Sequence, residues 1–425
     1  MPTSDDESLD RGRLNDLQRR KLAELLRFVR VSNPFYRAKL VAVSNPDDAA
    51  LEFLPLTTRA ELEIDQVAHP PYGSNLTYPQ NHYVRLHQTS GSGGAPLRWL
   101  DTPYSWAWFK KCWRIIYGAA GVSLSDRVFF PFSFGPFVGF WAAFETAIDL
   151  GCFCLPAGGM STKARLEYML VNEATVVCCT PTYALRMAEA AQELKIDLAS
   201  SPVKALFVAG EPGGCVESFR KRLQSAWGAR VFDHSGMTEM GSCSFECRES
   251  PAGLHVIESE FIPEVIDPET TRPTPEGNLG ELVLTNLGRW GSPLIRYRTG
   301  DLVKLLRGRC ACGRWFARLD GGILGRVDEM TVIRGNNVYP SAIENVIRAF
   351  PEVSEFRLIL HSPNDRPDLE IEVEPAASTI DDRLSERIIQ AVKDRLQFRP
   401  KVSFVKQGSL PRFEMKSRRF LRRET

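Results

Sequence analysis

The chain has 425 residues, which is long for one hydrophobic core, so we expect two domains. Lys and Arg total 53 against 52 Asp and Glu, and this net charge of +1 argues against a nucleic-acid-binding or membrane-surface protein. No apolar run reaches the roughly 18 residues that cross a bilayer, and residues 1–13 are too polar for a secretory signal. We therefore expect a cytoplasmic protein with reduced cysteines.

The residues before the first glycine-rich loop predict helices that carry no chemistry of their own. Apolar side chains recur at helical spacing from Asn15 to Val31, until Ser32-Asn-Pro34 ends the pattern. A capping signature within Leu54–Leu62 predicts a second, shorter helix. We expect the first helix to pack on the main body of the protein.

A loop rich in glycine and hydroxyl groups follows, within Arg85-Leu-His-Gln-Thr-Ser-Gly-Ser-Gly-Gly-Ala-Pro96. We call its central residues the Gly/Ser loop: Thr89, Ser90, Gly91, Ser92, Gly93 and Gly94. Because glycine has no Cβ, backbone N–H groups can approach an anion closely and hydroxyl groups add donors, so the loop suits a phosphate. It lacks the pattern Gly-x-x-x-x-Gly-Lys-Ser/Thr of the nucleotide loop in kinases and GTPases. A flexible linker is the alternative.

An aromatic segment and a series of alternating elements come next. Residues 104–117 predict a helix, and residues 128–141 predict a buried strand, a turn and a helix start, a pattern most often found in plain core. Helices alternate with strands at 175–179 and 203–208, which favours parallel βα units. Ligands of open α/β sheets bind beyond the carboxyl ends of the strands. The loops that begin at Ala209 and after Asp233 are therefore candidate ligand loops.

The remaining sequence predicts an antiparallel region and a second domain. Residues 242–324 favour antiparallel strands, among them 261–266 and 281–285. From Gly325 we expect strands near 331–333, 356–360 and 370–373 and helices near 342–349 and 380–396. The basic segment 416–423 is interpreted as a solvated terminus, or alternatively as a segment attracted to phosphates.

Four residues have the composition of a zinc site. Cys247 and His255 are separated by seven residues, and Cys310 and Cys312 by one. Three thiolates and an imidazole match a closed tetrahedral Zn²⁺ site, which is an economical use of close cysteines in a reducing compartment. Cys243 is a rival ligand, and unrelated buried thiols are the alternative interpretation.

Four further motifs stand in order after the Gly/Ser loop: Asp233-His-Ser-Gly-Met-Thr-Glu-Met-Gly241, Tyr297-Arg-Thr-Gly-Asp-Leu302, Gly325–Pro340 and Gly408–Ser417. Together the five motifs resemble the adenylate-forming enzymes, and among these the phenylacetate-CoA ligase family, over nearly the whole chain. The resemblance implies an α/β fold with a large multi-sheet adenylation domain, residues 1–325. A small mobile α+β domain, residues 326–425, would carry the catalytic lysine.

The resemblance also implies an activity. Such a ligase activates a carboxylic acid with ATP as acyl-AMP and transfers the acyl group to CoA, releasing AMP and pyrophosphate. We expect an aromatic acid similar to phenylacetate or benzoate, with Mg²⁺ as cofactor and structural Zn²⁺. The alternatives are transfer to a carrier protein, adenylyl transfer to a deazaflavin-type coenzyme, and a non-catalytic nucleotide-binding protein. The sequence does not identify the acid and leaves a homodimer open.

The resemblance assigns roles residue by residue. Lys416 would bridge the carboxylate and the α-phosphate, Thr238 would donate to the α-phosphate, and Glu239 would bind Mg²⁺. ATP would contact Thr89, Ser90, Gly91, Ser92, Gly93, Gly94, Gly210, Glu211, Pro212, Asp233, His234, Ser235, Gly236, Asp301 and Arg326. The acyl pocket would comprise Phe134, Gly135, Phe137 and Trp141. Asp328 would be the hinge and Gly335 would line the thiol tunnel.

The chain departs from the family pattern at two positions. Ala95 replaces a usual lysine, which removes one charge near the phosphates. Ser235 replaces an aromatic residue that often stacks on adenine, so His234 or backbone atoms would provide that contact.

Overall fold

The structure is a computed structural model that describes residues 5–43, 45, 50–89, 96–333, 336–361, 368–376, 383–412 and 419–423. Seven predicted site residues lie outside these ranges: Ser90, Gly91, Ser92, Gly93, Gly94, Gly335 and Lys416. Among the helices in these ranges, none has the length and apolar character required to span a membrane.

The described residues form ten α-helices: α1 (Arg11–Ser32), α2 (Pro34–Lys39), α3 (Arg59–Ala68), α4 (Pro103–Ala120), α5 (Trp141–Asp149), α6 (Thr162–Val171), α7 (Pro181–Glu193), α8 (Glu217–Trp227), α9 (Pro340–Ile347) and α10 (Leu384–Leu396). Short 3-10 helices span Asp5–Ser8, Leu51–Phe53, Gln80–His82, Leu198–Ser200 and Val327–Glu329. The predicted first helix is confirmed by α1, which ends at Asn33. The predicted cap is confirmed at Thr58 and Glu61, where a capping box opens α3.

Strands form in several sheets: β1 (Arg85–Gln88), β2 (Arg98–Asp101), β3 (Arg127–Phe130), β4 (Phe153–Pro156), β5 (Val176–Cys179), β6 (Ala205–Val208), β7 (Arg230–Asp233), β8 (Gly236–Met237), β9 (Gly241–Ser242), β10 (Ser244–Cys247), β11 (Ser250–Val256), β12 (Phe261–Ile266), β13 (Leu279–Asn286), β14 (Tyr297–Leu306), β15 (Arg318–Asp320), β16 (Gly325–Arg326), β17 (Thr331–Ile333), β18 (Asn336–Val338), β19 (Val353–His361), β20 (Asp368–Pro375), β21 (Lys401–Phe404) and β22 (Phe420–Arg423). The Gly/Ser loop joins β1 to β2, which pair antiparallel.

A parallel sheet with strand order β4-β3-β5-β6-β7 forms the base of the predicted nucleotide site. Every residue of β5 and β6 is buried, as expected for strands covered by helices on both faces. The predicted strands at 175–179 and 203–208 and their parallel pairing are confirmed. The carboxyl ends of β5, β6 and β7 meet at one edge, so the loops that follow these strands are brought together.

An antiparallel sheet with strand order β10-β11-β15-β14-β13-β12 follows, and β16 pairs with β14. Its strands confirm the predictions for 261–266 and 281–285. Pairing of β14 with β16 aligns Asp301 with Arg326. The sheet therefore brings together two residues that the sequence placed in separate motifs.

The C-terminal region has its own sheet, with strand order β21-β20-β19-β22, and its own hydrophobic core between that sheet and helices α9 and α10. The predicted strands and the type of both predicted helices are confirmed, while residues 380–382 lie outside the described ranges. Within the segment 416–423, interpreted as a solvated terminus, Phe420–Arg423 form β22 parallel to β19, and Arg422 and Arg423 are exposed there. A large α/β region and a smaller C-terminal domain are thus confirmed, while the boundary after residue 325 stays a prediction.

Candidate functional site

The loop after β6 lies against the end of β7. Gly210 has a φ of 95°, a left-handed value that favours glycine. A Cβ on Gly214 would overlap the carboxyl group of Asp233, so only glycine lets the loop cross this carboxylate. The predicted residues Gly210 and Asp233 are thereby held at the same edge of the sheet.

The side chain of Glu211 links this loop to two other elements. Its carboxylate accepts a hydrogen bond of 2.9 Å from the Thr182 N–H at the start of α7, and another from the Thr182 hydroxyl. Its second oxygen lies 3.6 Å from Arg419 Nη1, and both side chains are almost fully buried. The loop is thus connected to the chain segment that leads into β22.

Asp233 is part of a buried acidic pair. Its N–H donates to Glu246 Oε2 over 3.1 Å, and Arg220 donates to the same carboxylate. Burial and the charge of Glu246 raise the pKa of Asp233 to about 7. Near neutral pH its carboxyl group therefore exists in both forms and can accept or donate a hydrogen bond.

Thr238 and Glu239 lie in the turn of a small hairpin formed by β8 and β9. Arg289 holds this turn: its Nη1 donates to the carbonyl oxygens of Thr238 (2.8 Å) and Glu239 (2.7 Å). Its Nε and Nη2 each donate over 2.8 Å to the Asp101 carboxylate, and the pair is completely buried. Burial is the largest influence and would raise the pKa of Asp101, but the charge and hydrogen bonds of Arg289 together with those of His87 outweigh burial and lower the pKa.

Sequence analysis missed Arg289 because it belongs to none of the motifs. The signal available was an Asn-Leu-Gly-Arg sequence directly after a long apolar strand. Gly288 is required there, since a Cβ would overlap the ring of Trp108. Arg59, at the start of α3, was also missed.

Arg59 contacts the predicted magnesium ligand. Its Nη1 lies 3.3 Å from Glu239 Oε1, and its Nε donates to Glu63 Oε1 over 2.8 Å. Glu239 is buried and offers a hard carboxylate oxygen, which is the donor that Mg²⁺ prefers. A cation bound by Glu239 would compete with Arg59 for this oxygen.

Ser235 is engaged with the antiparallel sheet. Its hydroxyl lies 2.5 Å from the Ser244 hydroxyl, and its N–H donates to the same group over 3.2 Å. The ring of the preceding residue, His234, lies against the aromatic core. Its ring centroid is 4.6 Å from that of Trp113, and burial lowers its pKa to about 4.

Asp301, Arg326 and Asp328 form a chain of ion pairs. Arg326 Nη1 donates to Asp301 Oδ1 over 3.0 Å, and its Nε donates to Asp328 Oδ1 over 2.9 Å. Asp328 is exposed and lies in the 3-10 helix Val327–Glu329. Asp301, a predicted ATP contact, and Asp328, the predicted hinge, are therefore connected by one guanidinium group.

The four predicted acyl-pocket residues lie together. The ring centroids of Phe134 and Trp141 are 4.7 Å apart, and Trp141 Nε1 donates to the Gly135 carbonyl oxygen over 3.0 Å. The Phe137 ring covers the position that a Cβ on Gly135 would occupy, at 3.1 Å.

The base of the Gly/Ser loop is joined to this aromatic segment. Thr89 closes the loop, because its N–H donates to the Leu97 carbonyl oxygen and its hydroxyl accepts from the Leu97 N–H. The Gln88 N–H donates to the Pro136 carbonyl oxygen over 2.7 Å. The described end of the loop is therefore fixed beside Gly135.

A second cluster contains the predicted zinc ligands. Cys247 Sγ lies 3.9 Å from Cys310 Sγ, and Cys312 Sγ lies 3.6 Å from His255 Nε2. The four ligand atoms lie within 4.8 Å of one another. A tetrahedral Zn²⁺ with bonds of about 2.3 Å to sulfur separates its ligand atoms by about 3.7 Å, so the cluster fits this ion.

The surroundings of the cluster also favour a metal. His255 Nδ1 lies 3.0 Å from the Phe316 carbonyl oxygen, and donation there leaves the Nε2 lone pair directed at the thiols. Hydrogen bonds from Cys247 and His255 hold the pKa of Cys312 well below its ordinary value. Cys243, the rival ligand, instead lies 3.7 Å from the Ser235 hydroxyl.

We expect Cys312→Ser to lower zinc content and melting temperature together, because the remaining thiolates would repel one another without the ion. Wild-type protein should contain about one zinc ion per chain by elemental analysis. Cys154→Ser is the matched control, since Cys154 has similar exposure and lies outside the cluster. Full zinc content in Cys312→Ser would contradict the assignment.

We expect Arg289→Lys to destabilise the protein by about 1–3 kcal/mol and to slow adenylation by about tenfold or more, because lysine has too few fixed donors for one carboxylate and two carbonyls. Arg296→Lys is the control. Arg296 makes the same kind of contacts, to Glu264 and to the carbonyl oxygens of Glu52 and Leu54.

Both variants should unfold at lower denaturant concentration, but the adenylation rate per folded molecule should fall only in Arg289→Lys. Equal rates in the two variants would show that Arg289 contributes stability alone.

Comparisons with known proteins agree with the arrangement of the site described above. A family model described as AMP-binding enzyme matches residues 47–288, and one described as AMP-binding enzyme C-terminal domain matches residues 335–423. Phenylacetate-coenzyme A ligase of Thermus thermophilus is 32% identical over 96% of this chain and 96% of its own. The Escherichia coli enzyme of that name is 29% identical over 95% of this chain and 93% of its own.

A solved structure extends the similarity to the fold. Crystalline 2-hydroxyisobutyryl-CoA ligase in the postadenylation state, in complex with 2-HIB-AMP, is 28% identical, and the match covers 99% of this chain and 93% of that chain with a TM-score of 0.92. The predicted enzyme class, an AMP-forming acid-thiol ligase, is thereby confirmed. The chain belongs to the AMP-binding enzymes and, within them, to the phenylacetate-CoA ligase family.

Proposed function

We propose that the protein activates an aromatic carboxylic acid as its acyl-AMP and transfers the acyl group to CoA, releasing AMP and pyrophosphate. The observation that supports this most directly is the aromatic segment around Phe134 and Trp141, joined by hydrogen bonding at Pro136 to the base of the Gly/Ser loop. An acid seated against these rings would have its carboxylate near a loop suited to phosphate. The curated relatives named above are phenylacetate-CoA ligases, which also favours a flat aromatic acid.

In this proposal the loops at the sheet edge bind the nucleotide. Backbone of 210–212 and the carboxyl group of Asp233 would contact adenine, Asp301 would accept from the ribose hydroxyls, and Thr238 would donate to the α-phosphate. Mg²⁺ held by Glu239 would neutralise phosphate charge. Holding the acid and ATP in line would account for much of the rate of adenylation. The fixed Thr238–Glu239 turn would therefore contribute by positioning the reacting groups.

The C-terminal domain, residues 326–425 in this proposal, would supply Lys416 for adenylation and then move to admit the thiol. The relative in its postadenylation state matches this chain with a TM-score of 0.92, whereas the same ligase in its thioesterification state matches at 0.74. This difference supports a present domain arrangement similar to the postadenylation state of that relative, from which a rotation would be needed for the second half-reaction. The relatives named above are CoA ligases, which favours CoA over a carrier protein or a deazaflavin-type acceptor.

A panel of acids tests the proposal. The protein is incubated with ATP, Mg²⁺, CoA and benzoates, phenylacetates or aliphatic acids, and free AMP and thioester are both quantified. Equal amounts of AMP and thioester from an aromatic acid support it. Thioester only from aliphatic acids would exclude the aromatic assignment, and adenylyl transfer without free AMP would exclude the ligase reaction for this chain.

We expect Lys416→Ala to lower the rate of acid-dependent pyrophosphate exchange by about a hundredfold or more, since an isolated transition-state charge contact typically contributes this much. Thioester formation from supplied acyl-adenylate should be spared. Lys393→Ala, which removes an exposed charge from α10 of the same domain, should change neither reaction. Pyrophosphate exchange at the wild-type rate in Lys416→Ala would refute the role.

We expect Asp328→Pro to retain adenylation and to lose thioester formation. Proline fixes φ near about −65°, which matches the 3-10 conformation now present, so the domain would be held in its current orientation. Asp328→Ala is the control, because it removes the Arg326 ion pair without restricting the backbone. Wild-type thioester turnover in Asp328→Pro would locate the hinge elsewhere.

A further inference from the structure

The sequence predicts that His234 contacts ATP, and in the structure its side chain is a buried polar group among aromatic rings. It is 6% exposed, and neither Nδ1 nor Nε2 has a hydrogen-bond partner within the described part of the chain. Its position is fixed, since its backbone N–H donates to the Val208 carbonyl oxygen over 3.1 Å at the end of β6. The edge of the sheet therefore fixes the backbone from which the buried ring extends.

Aromatic rings surround this imidazole. Trp113 meets it edge-on at 77° with centroids 4.6 Å apart, and Phe140 does so at 75° and 5.9 Å. Phe140 also contacts Phe132, and Phe132 contacts Phe134, each with centroids 5.5 Å apart. A continuous series of ring contacts thus connects His234 to the proposed acyl pocket.

The chemistry of the site determines what can complete it. A buried polar group without a partner is unfavourable, and an apolar side chain would suit these aromatic neighbours better. Burial keeps the ring neutral, so one nitrogen is a donor and the other an acceptor. A neutral imidazole among aromatic rings suits a hydroxyl group on the substrate acid, because a hydroxyl can accept or donate a hydrogen bond. It does not suit a second carboxylate on that acid.

We propose that His234 is a specificity residue that hydrogen-bonds a hydroxyl group on the acid, so that the enzyme prefers hydroxylated acids over their unsubstituted parents. The inference rests on the proposed function, because it places the acyl group beside His234. It adds to that function a requirement on the substrate that the aromatic residues alone do not impose.

The test is a ratio of kcat/KM values within pairs of acids. Phenylacetate is compared with its 2-, 3- and 4-hydroxy derivatives and with mandelate, and benzoate with the hydroxybenzoates, using AMP release by wild type, His234→Phe and Phe140→Leu. We expect wild type to prefer at least one hydroxylated acid by about tenfold or more over its parent. The preference should fall to near unity in His234→Phe and persist in Phe140→Leu, which alters the same aromatic cluster without removing a polar group.

The outcomes separate the two proposals. Thioester formed from parent acids with no hydroxyl preference in wild type, or with the same preference in His234→Phe, overturns the role of His234 and leaves the proposed function intact. No AMP and no thioester from any acid overturns both. If His234→Phe does not fold, as judged by thermal melting, His234→Leu provides the same comparison, because a general loss of stability changes both acids alike and leaves their ratio unaltered.

Discussion

The buried ion pair between Arg289 and Asp101 is the interaction on which the arrangement of the site depends. It connects three elements far apart in sequence: the end of β2, the turn between β8 and β9, and the segment after β13. Burying two charges gives little net stability on average, whereas removing one partner leaves an unpaired buried charge. The pair contributes by fixing position: Arg289 holds the carbonyl oxygens of Thr238 and Glu239, and hence the backbone of the turn that carries their side chains.

Other arginines around the site also connect segments that are distant in sequence. Arg59 connects α3 to the Glu239 turn, Arg326 joins Asp301 to Asp328, and Arg419 joins the C-terminal sheet to Glu211. A guanidinium group has five donors in a fixed plane, so it can serve several acceptors at once. The four predicted zinc ligands have a comparable role, since their cluster joins the β10–β11 hairpin to the turn at Cys310.

Local patterns predicted most of the fold. Strands β5 and β6 are fully buried and have continuous apolar sequences, and the capping box of α3 lies within a span of four residues, so neighbouring residues sufficed to predict both. Arg289 and Arg59 could not be found this way, because the acceptors that join them to the site, Asp101 and the Thr238–Glu239 turn, lie in other elements and no spacing rule relates them. His234 was placed in the correct loop, but the direction of its ring depends on Trp113, more than a hundred residues earlier.

The position of Glu211 has a thermodynamic consequence. One carboxylate caps α7 beneath the proposed nucleotide loop and also contacts Arg419 at the entry to β22. If this loop binds the nucleotide as proposed, nucleotide binding and domain orientation would be linked: whatever favours this loop conformation would also raise the population of the present orientation. Such coupling is reciprocal: the factor by which adenylate binding would favour the present orientation is also the factor by which affinity for adenylate would fall when the C-terminal domain turns away. Release of AMP after thioester formation would therefore be coupled to domain movement through a single side chain.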